Sequence, residues 1–215
     1  MQMLLVHGLG RTPLSLFGLA AALRRAGHHT RFFGYLPTLE TLPRIVRRLT
    51  ARLRALAVRG ESVGLVGHSL GGLLLRMALP AVPELKVHHF VMLGTPAFVP
   101  RMATLTWRWF PPFRFYTRDC GRFLGSPEAF AKLPEFAVPF TLIAGTAGPC
   151  GRWSPFGTDP NDGVVSVSET RVAGVEPELV PAVHTLIMDS VVVQARILAI
   201  MGSTSANARP LVPGT

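Results

Sequence analysis

Apolar positions along the chain follow two alternating rhythms. A short unbroken run, MLLV at 3–6, ends at glycines. Over 13–26 the apolar positions Leu14, Leu16, Phe17, Leu19, Ala20 and Leu23 recur at helical spacing, opened by Pro13 and closed by Gly27. The pair repeats. Residues 29–33 read as a second strand and 43–57 as a helix, 62–66 as a third strand and 70–79 as a helix stopped by Pro80. VHHFVML at 87–93 and VPFTLIA at 138–144 give two more strands. Strictly alternating strands and helices need right-handed crossovers, so the pattern predicts an α/β fold: a mostly parallel sheet with helices on both faces. Chemistry is then expected beyond the carboxyl ends of the strands, where an open parallel sheet leaves its crevice.

One stretch breaks the rhythm. Residues 97–136 hold ten of the chain's eighteen aromatics with six basic and three acidic residues, and forty residues is too long for a plain connection. They are expected to form an inserted cap with some helix of its own. From Gly202 the sequence GSTSANARPLVPGT lacks periodicity and is expected to be a loosely ordered tail. The rest, 1–201, reads as one domain, since 215 residues with 48% hydrophobic content bury a sizeable core in a single unit.

Charge alters this picture little. Lys and Arg number 22 against 12 Asp and Glu, and only Lys86 and Lys132 are lysines. Such an excess suits an anionic partner, but the arginines are dispersed. The densest set (Arg44, Arg47, Arg48, Arg52, Arg54) alternates with Ile45, Val46, Leu49, Leu53 and Leu56, as on an amphipathic helix with a solvated basic face. No nucleic-acid partner is expected. The opening MQMLLVHGLG lacks the plan of a secretory signal, and no run is long and apolar enough to span a bilayer, so a soluble, cytoplasmic protein is expected. Cys120 and Cys150 lack the spacing of a redox or zinc motif. No GxGxxG, Walker or HExxH sequence occurs, and neither a cofactor nor a metal is expected.

The glycines around Ser69 carry the chemical signal. In Gly67-His68-Ser69-Leu70-Gly71, preceded by SVGLV and followed by LLLRMAL, a serine lies on a strand-to-helix turn. A turn that sharp strains the serine backbone and crowds its neighbours, and glycines two residues to either side relieve the crowding. This is the nucleophile elbow, which exposes the hydroxyl to the crevice. A tetrahedral intermediate needs backbone N–H groups for its oxyanion. The expected donors are Leu70, directly after the serine, and Leu9, in the glycine turn His7-Gly8-Leu9-Gly10. His7 is expected to brace that turn, and His68 to support the site without acting as its base.

Together LLVHGLG, GLVGHSLGG, LGTP at 93–96, NDGVVS at 161–166 and the late histidine of VHT resemble the α/β-hydrolase fold, particularly compact bacterial lipases and esterases of the triacylglycerol lipase type. The resemblance covers about residues 3–200, outside 97–136. Two departures stand out. Ala97-Phe98-Val99 replaces the histidine-glycine-serine stretch that usually follows GTP, and the short segment before the HG turn implies a shortened fold without antiparallel edge strands. The family's order of serine, acid, histidine implies His184 as base, because the other six histidines come too early. It implies Asp162 as acid, in an Asp-Gly-hydrophobic loop, with Asp159 as the alternative; Asp189 is out of order.

These readings converge on a metal-independent serine hydrolase of carboxylic esters with apolar acyl chains. The aromatic segment and the positive mean hydropathy (+0.35) favour such substrates. A thioesterase or acyltransferase on the same triad is the alternative, and a catalytically silent ligand-binding scaffold a further one. Trp107, Trp109, Phe110 and Phe113 are expected to form the substrate wall of a lid, with transient contact to a membrane surface through its arginines. Each acyl methylene buried there would contribute about 0.8 kcal/mol. The alternative is that these aromatics only pack the segment onto the sheet.

Overall fold

The structure, a computed structural model, describes residues 1–172 and 174–202. Six strands form one sheet in the order β2-β1-β3-β4-β5-β6: β1 (Gln2–Val6), β2 (His29–Phe33), β3 (Val63–His68), β4 (Val87–Leu93), β5 (Phe140–Gly145) and β6 (Glu178–Val180). Every ladder between them is parallel. The chain steps from the sheet centre to one edge and then reverses to the other, which creates a switch point beyond β1 and β3.

Both faces are covered. On one side α1 (Phe17–Arg25) and α8 (Val191–Gly202) bury Leu19, Leu23, Val193 and Ile197 against Leu5, Val66 and Val91 of the strands. On the other, α2 (Leu42–Ala57) and α3 (Leu70–Ala78) bury Ile45, Leu49, Leu53, Leu73 and Leu74 against Leu4, Leu65 and Phe90. The arginines of α2 alternate with that buried stripe, as its spacing predicts, and Arg44, Arg47, Arg52 and Arg54 are exposed or half-exposed.

The five strands expected from the apolar runs are all present. β6 and α8 follow from no such signal. β6 has only three residues between prolines, and α8 is apolar on nearly all sides, so no polar stripe marks it as a helix. The loose tail expected from Gly202 lies, apart from that residue, outside the described residues; Gly202 itself closes α8. Between β4 and β5 the aromatic segment forms α4 (Arg101–Trp109), α5 (Pro111–Leu124) and α6 (Pro127–Ala131). Glu169, on the short α7 (Val167–Thr170), holds the root of this segment. Its backbone carbonyl accepts from the N–H groups of Ala97 and Phe98, and its carboxylate from the first N–H of α4 at 2.9 Å, where the positive end of the helix dipole favours an acid.

Candidate active site

Ser69 joins β3 to α3 with φ +50° and ψ −122°, outside the regions a side-chain-bearing residue normally occupies. The turn is held from outside. The Ser69 N–H donates to the Leu93 carbonyl at the end of β4 (2.8 Å), and the Thr95 hydroxyl donates to the Ser69 carbonyl (3.2 Å). A Cβ on Gly67 would lie 2.5 Å from the Gly72 Cα, so only glycine lets α3 begin so close to β3. Among the described residues the N–H groups of Leu9 and Leu70 have no protein partner.

His184 and Asp162 come from the loops beyond β6 and β5. The His184 Nδ1–H donates to Asp162 Oδ2 at 2.6 Å, with both side chains almost wholly buried. The other carboxylate oxygen accepts from the N–H groups of Val164 (2.9 Å) and Val165 (2.7 Å), so the carboxylate is fixed on both sides. Asp159 stands elsewhere. Its carboxylate meets Arg101 at 3.3 Å and accepts from the Ser168 hydroxyl at 2.5 Å, in the network at the root of α4.

Two further histidines support the arrangement. His68 is buried, and its Nε2–H donates to the His184 carbonyl at 3.0 Å. Burial and the nearby His184 hold its pKa well below the usual histidine value, so the ring is neutral and its Nδ1 carries no proton. His7 stacks on Tyr35 with ring centroids 4.3 Å apart, donates from Nδ1 to the Gly8 carbonyl and accepts the Tyr35 N–H at Nε2. It ties the glycine turn to the β2 side of the sheet. Gly94, within LGTP, carries a constraint that the sequence pattern does not show. With φ +53° it lies where a Cβ would come within 3.0 Å of both Asp162 Oδ2 and His184 Nδ1. The positive φ and this close approach require glycine.

A cavity of about 520 Å³ has Ser69, His184 and Leu9 in its lining. Its far wall comes from α4 and α5, including Met102, Ala103, Thr106, Phe113 and Thr117, with Phe110 and Tyr116 near the rim. Of the four aromatics expected to line it, Phe110 and Phe113 do so and Trp107 and Trp109 do not. The lining stripe of α4 runs through Met102, Ala103 and Thr106 to Phe110. Trp107 therefore turns into a neighbouring groove beside Arg114 and Arg118, and Trp109 turns to solvent, 71% exposed. Among the described residues the lining contains no Asp or Glu, and Arg11 is its one Lys or Arg side chain. Among the described residues no cluster of three or more His, Cys, Asp or Glu is placed to hold a metal, and no helix is long and apolar enough to cross a membrane.

Comparison with known proteins identifies the family and the fold. The profile of the Alpha/beta hydrolase family matches residues 3–205. The chain belongs to that family. Among solved structures, this α/β hydrolase is similar to the mature lipase BlEst2 of Bacillus licheniformis, with 20% identity and a TM-score of 0.72 over 93% of this chain and 91% of that one. It is also similar to a structure described under the metagenome-derived lipolytic enzymes LipS and LipT, at 19% identity and TM-score 0.66, covering 93% and 92%. A third likeness, at 18% identity and TM-score 0.58 over 94% and 97%, is to an extracellular α/β-hydrolase from a Paenibacillus species. At these identities the likeness is one of fold. No curated protein sequence matches the chain.

Proposed function

We propose that this α/β hydrolase cleaves carboxylic esters of apolar acyl chains through a Ser69-His184-Asp162 triad and an acyl-enzyme. The observation that carries the reading is the strained Ser69 turn opening into the same apolar cavity as His184, whose far ring nitrogen is anchored on Asp162. His184 takes the Ser69 proton through Nε2 as the hydroxyl attacks the acyl carbon, then returns it to the departing alkoxide. Asp162 keeps the proton on Nδ1, so Nε2 is the basic nitrogen, and stabilises the imidazolium. The N–H groups of Leu9 and Leu70 receive the oxyanion of each tetrahedral intermediate. Water then repeats the cycle on the acyl-enzyme and releases the acid.

Helices α4 and α5 act as a lid, and their cavity-facing residues receive the acyl chain. Outside the cavity lining the two helices carry exposed Trp109 and Phe115 together with exposed Arg108, Arg114, Arg118 and Arg122. Exposed aromatics interleaved with cations suit contact with a lipid surface that presents water-insoluble esters.

The test is turnover of p-nitrophenyl esters from acetyl to palmitoyl, beside acyl-CoA thioesters of the same chains. The reading expects ester hydrolysis that rises in kcat/KM beyond butyrate and exceeds thioester hydrolysis. A thioester preference would replace it with the thioesterase reading, and no turnover of either would leave a silent scaffold.

A further inference from the structure

The cation in the cavity is unexplained by ester hydrolysis. A neutral fatty ester has no charge for Arg11 to meet, and the oxyanion is received by backbone N–H groups. Arg11 nevertheless lines the cavity, two residues beyond Leu9, and forms no ion pair among the described residues. Its Nη2 donates to the Thr185 carbonyl at 3.1 Å, and its buried Nε has no hydrogen-bond partner. A guanidinium offers five N–H donors in a planar fork that matches a carboxylate or a phosphate. The Nε is closed off by the protein itself, so the donors open to a substrate are those of the two Nη atoms, of which only Nη2 has a protein partner among the described residues.

The position of Arg11 indicates which part of a substrate those donors meet. The Thr185 carbonyl holds Arg11 against the loop of His184, the group that hands its proton to the leaving alkoxide in the proposed reaction, and the leaving group is therefore the part of the substrate assigned to Arg11. The acyl side is the apolar wall of Met102, Ala103 and Phe113.

We infer that Arg11 makes this protein selective for acyl esters whose alcohol part carries an anionic group, a phosphate or a carboxylate, close to the ester oxygen. The inference rests on the proposed ester hydrolysis and names its substrate class. The reaction itself is unchanged: water adds across the acyl C–O bond and releases a fatty acid and an anionic alcohol.

The experiment compares two substrates with one acyl chain, 1-decanoylglycerol and 1-decanoylglycerol 3-phosphate, and a binding probe that is not a carboxylic ester, decyl phosphate, followed by calorimetry. Wild-type protein is expected to favour the phosphate ester by at least about tenfold in kcat/KM. In Arg11→Met the loss falls on the phosphate ester about ten times more heavily than on the neutral one, and Arg11→Lys, which keeps the charge without the fork, lies between. Decyl phosphate binds wild type and its affinity drops about tenfold in Arg11→Met, with decanol as the uncharged control. Equal losses on the two esters would make Arg11 only a clamp on Thr185 and overturn the inference, as would a wild type without preference. If neither ester turns over, the hydrolase reading has failed, and decyl phosphate still decides the Arg11 site by itself.

Discussion

His184 and Asp162 stand 22 residues apart and are joined twice: Nδ1 to Oδ2 at 2.6 Å, and the His184 backbone N–H to the Asp162 carbonyl at 2.8 Å. The second bond locks the two loops together, so the side-chain contact does not depend on either loop alone. Asp162 is also the carboxylate with two backbone donors on its other oxygen. Replacing it with asparagine keeps the shape but presents an amide to the ring, which favours the wrong tautomer. Asp162→Asn is expected to lower kcat by about 10³- to 10⁴-fold. Asp159→Asn, which touches Arg101 and Ser168, is expected to cost less than about tenfold. Steady-state kinetics of the two variants decide between the acids, and the reverse order would reassign the role to Asp159.

Gly94 lies against that same pair. Gly94→Ala forces a side-chain-bearing residue to φ +53° and brings a methyl group to 3.0 Å from both partners. The backbone cost alone is about 1–2 kcal/mol. The contact adds a displacement of the ring, so activity is expected to fall by at least about tenfold in protein that still folds. Thermal melts and kcat/KM on one preparation separate the two effects; full activity would show that the pair tolerates the shift.

Acid is expected to weaken the fold through the buried histidines. Burial depresses the pKa of His68 strongly and that of His7 less, both below the ordinary 6.5. Unfolded chain therefore takes up protons near pH 6.5 while folded chain does not. Their contribution is complete above about pH 6.5 and is lost as the pH falls below it toward the folded values. Urea midpoints at pH 7.5 and 5.5 should show the decline. His68→Gln should make it shallower, and an unchanged slope would contradict the neutral assignment.

Much of this was legible in the chain. β1 and β3 read as strands because their apolar runs end at glycines, and the elbow because Gly67 and Gly71 flank a serine between a strand pattern and a helix pattern. Asp162 was marked by the glycine after it and the apolar residues beyond. What stayed hidden depends on packing. The facing of Trp107 and Trp109 follows from how α4 leans on the sheet, and aromatic density alone does not report it. Gly94 follows a plain strand, and its need for glycine appears only when two distant loops meet over it. Arg11 looked like one of many dispersed arginines until the cavity closed around it.

Chain-length preference should follow the lining. Phe113→Ala is expected to reduce the decanoate-to-butyrate ratio of kcat/KM by about fivefold, since several acyl methylenes lose an apolar wall. Trp107→Ala and Trp109→Ala, outside the cavity, should leave the ratio within about twofold. A ratio that moved with the tryptophans and not with Phe113 would contradict the assignment of the acyl wall.

Ser69 as an activated nucleophile is the centre of the proposed chemistry. Its most direct test is intact-mass and peptide mass spectrometry after exposure to a fluorophosphonate probe, which captures a serine only where a base activates it. One adduct per chain, located on Ser69 and lost in both Ser69→Ala and His184→Ala, is the predicted result. An unlabelled wild-type protein, or an adduct that persists in Ser69→Ala, would contradict it.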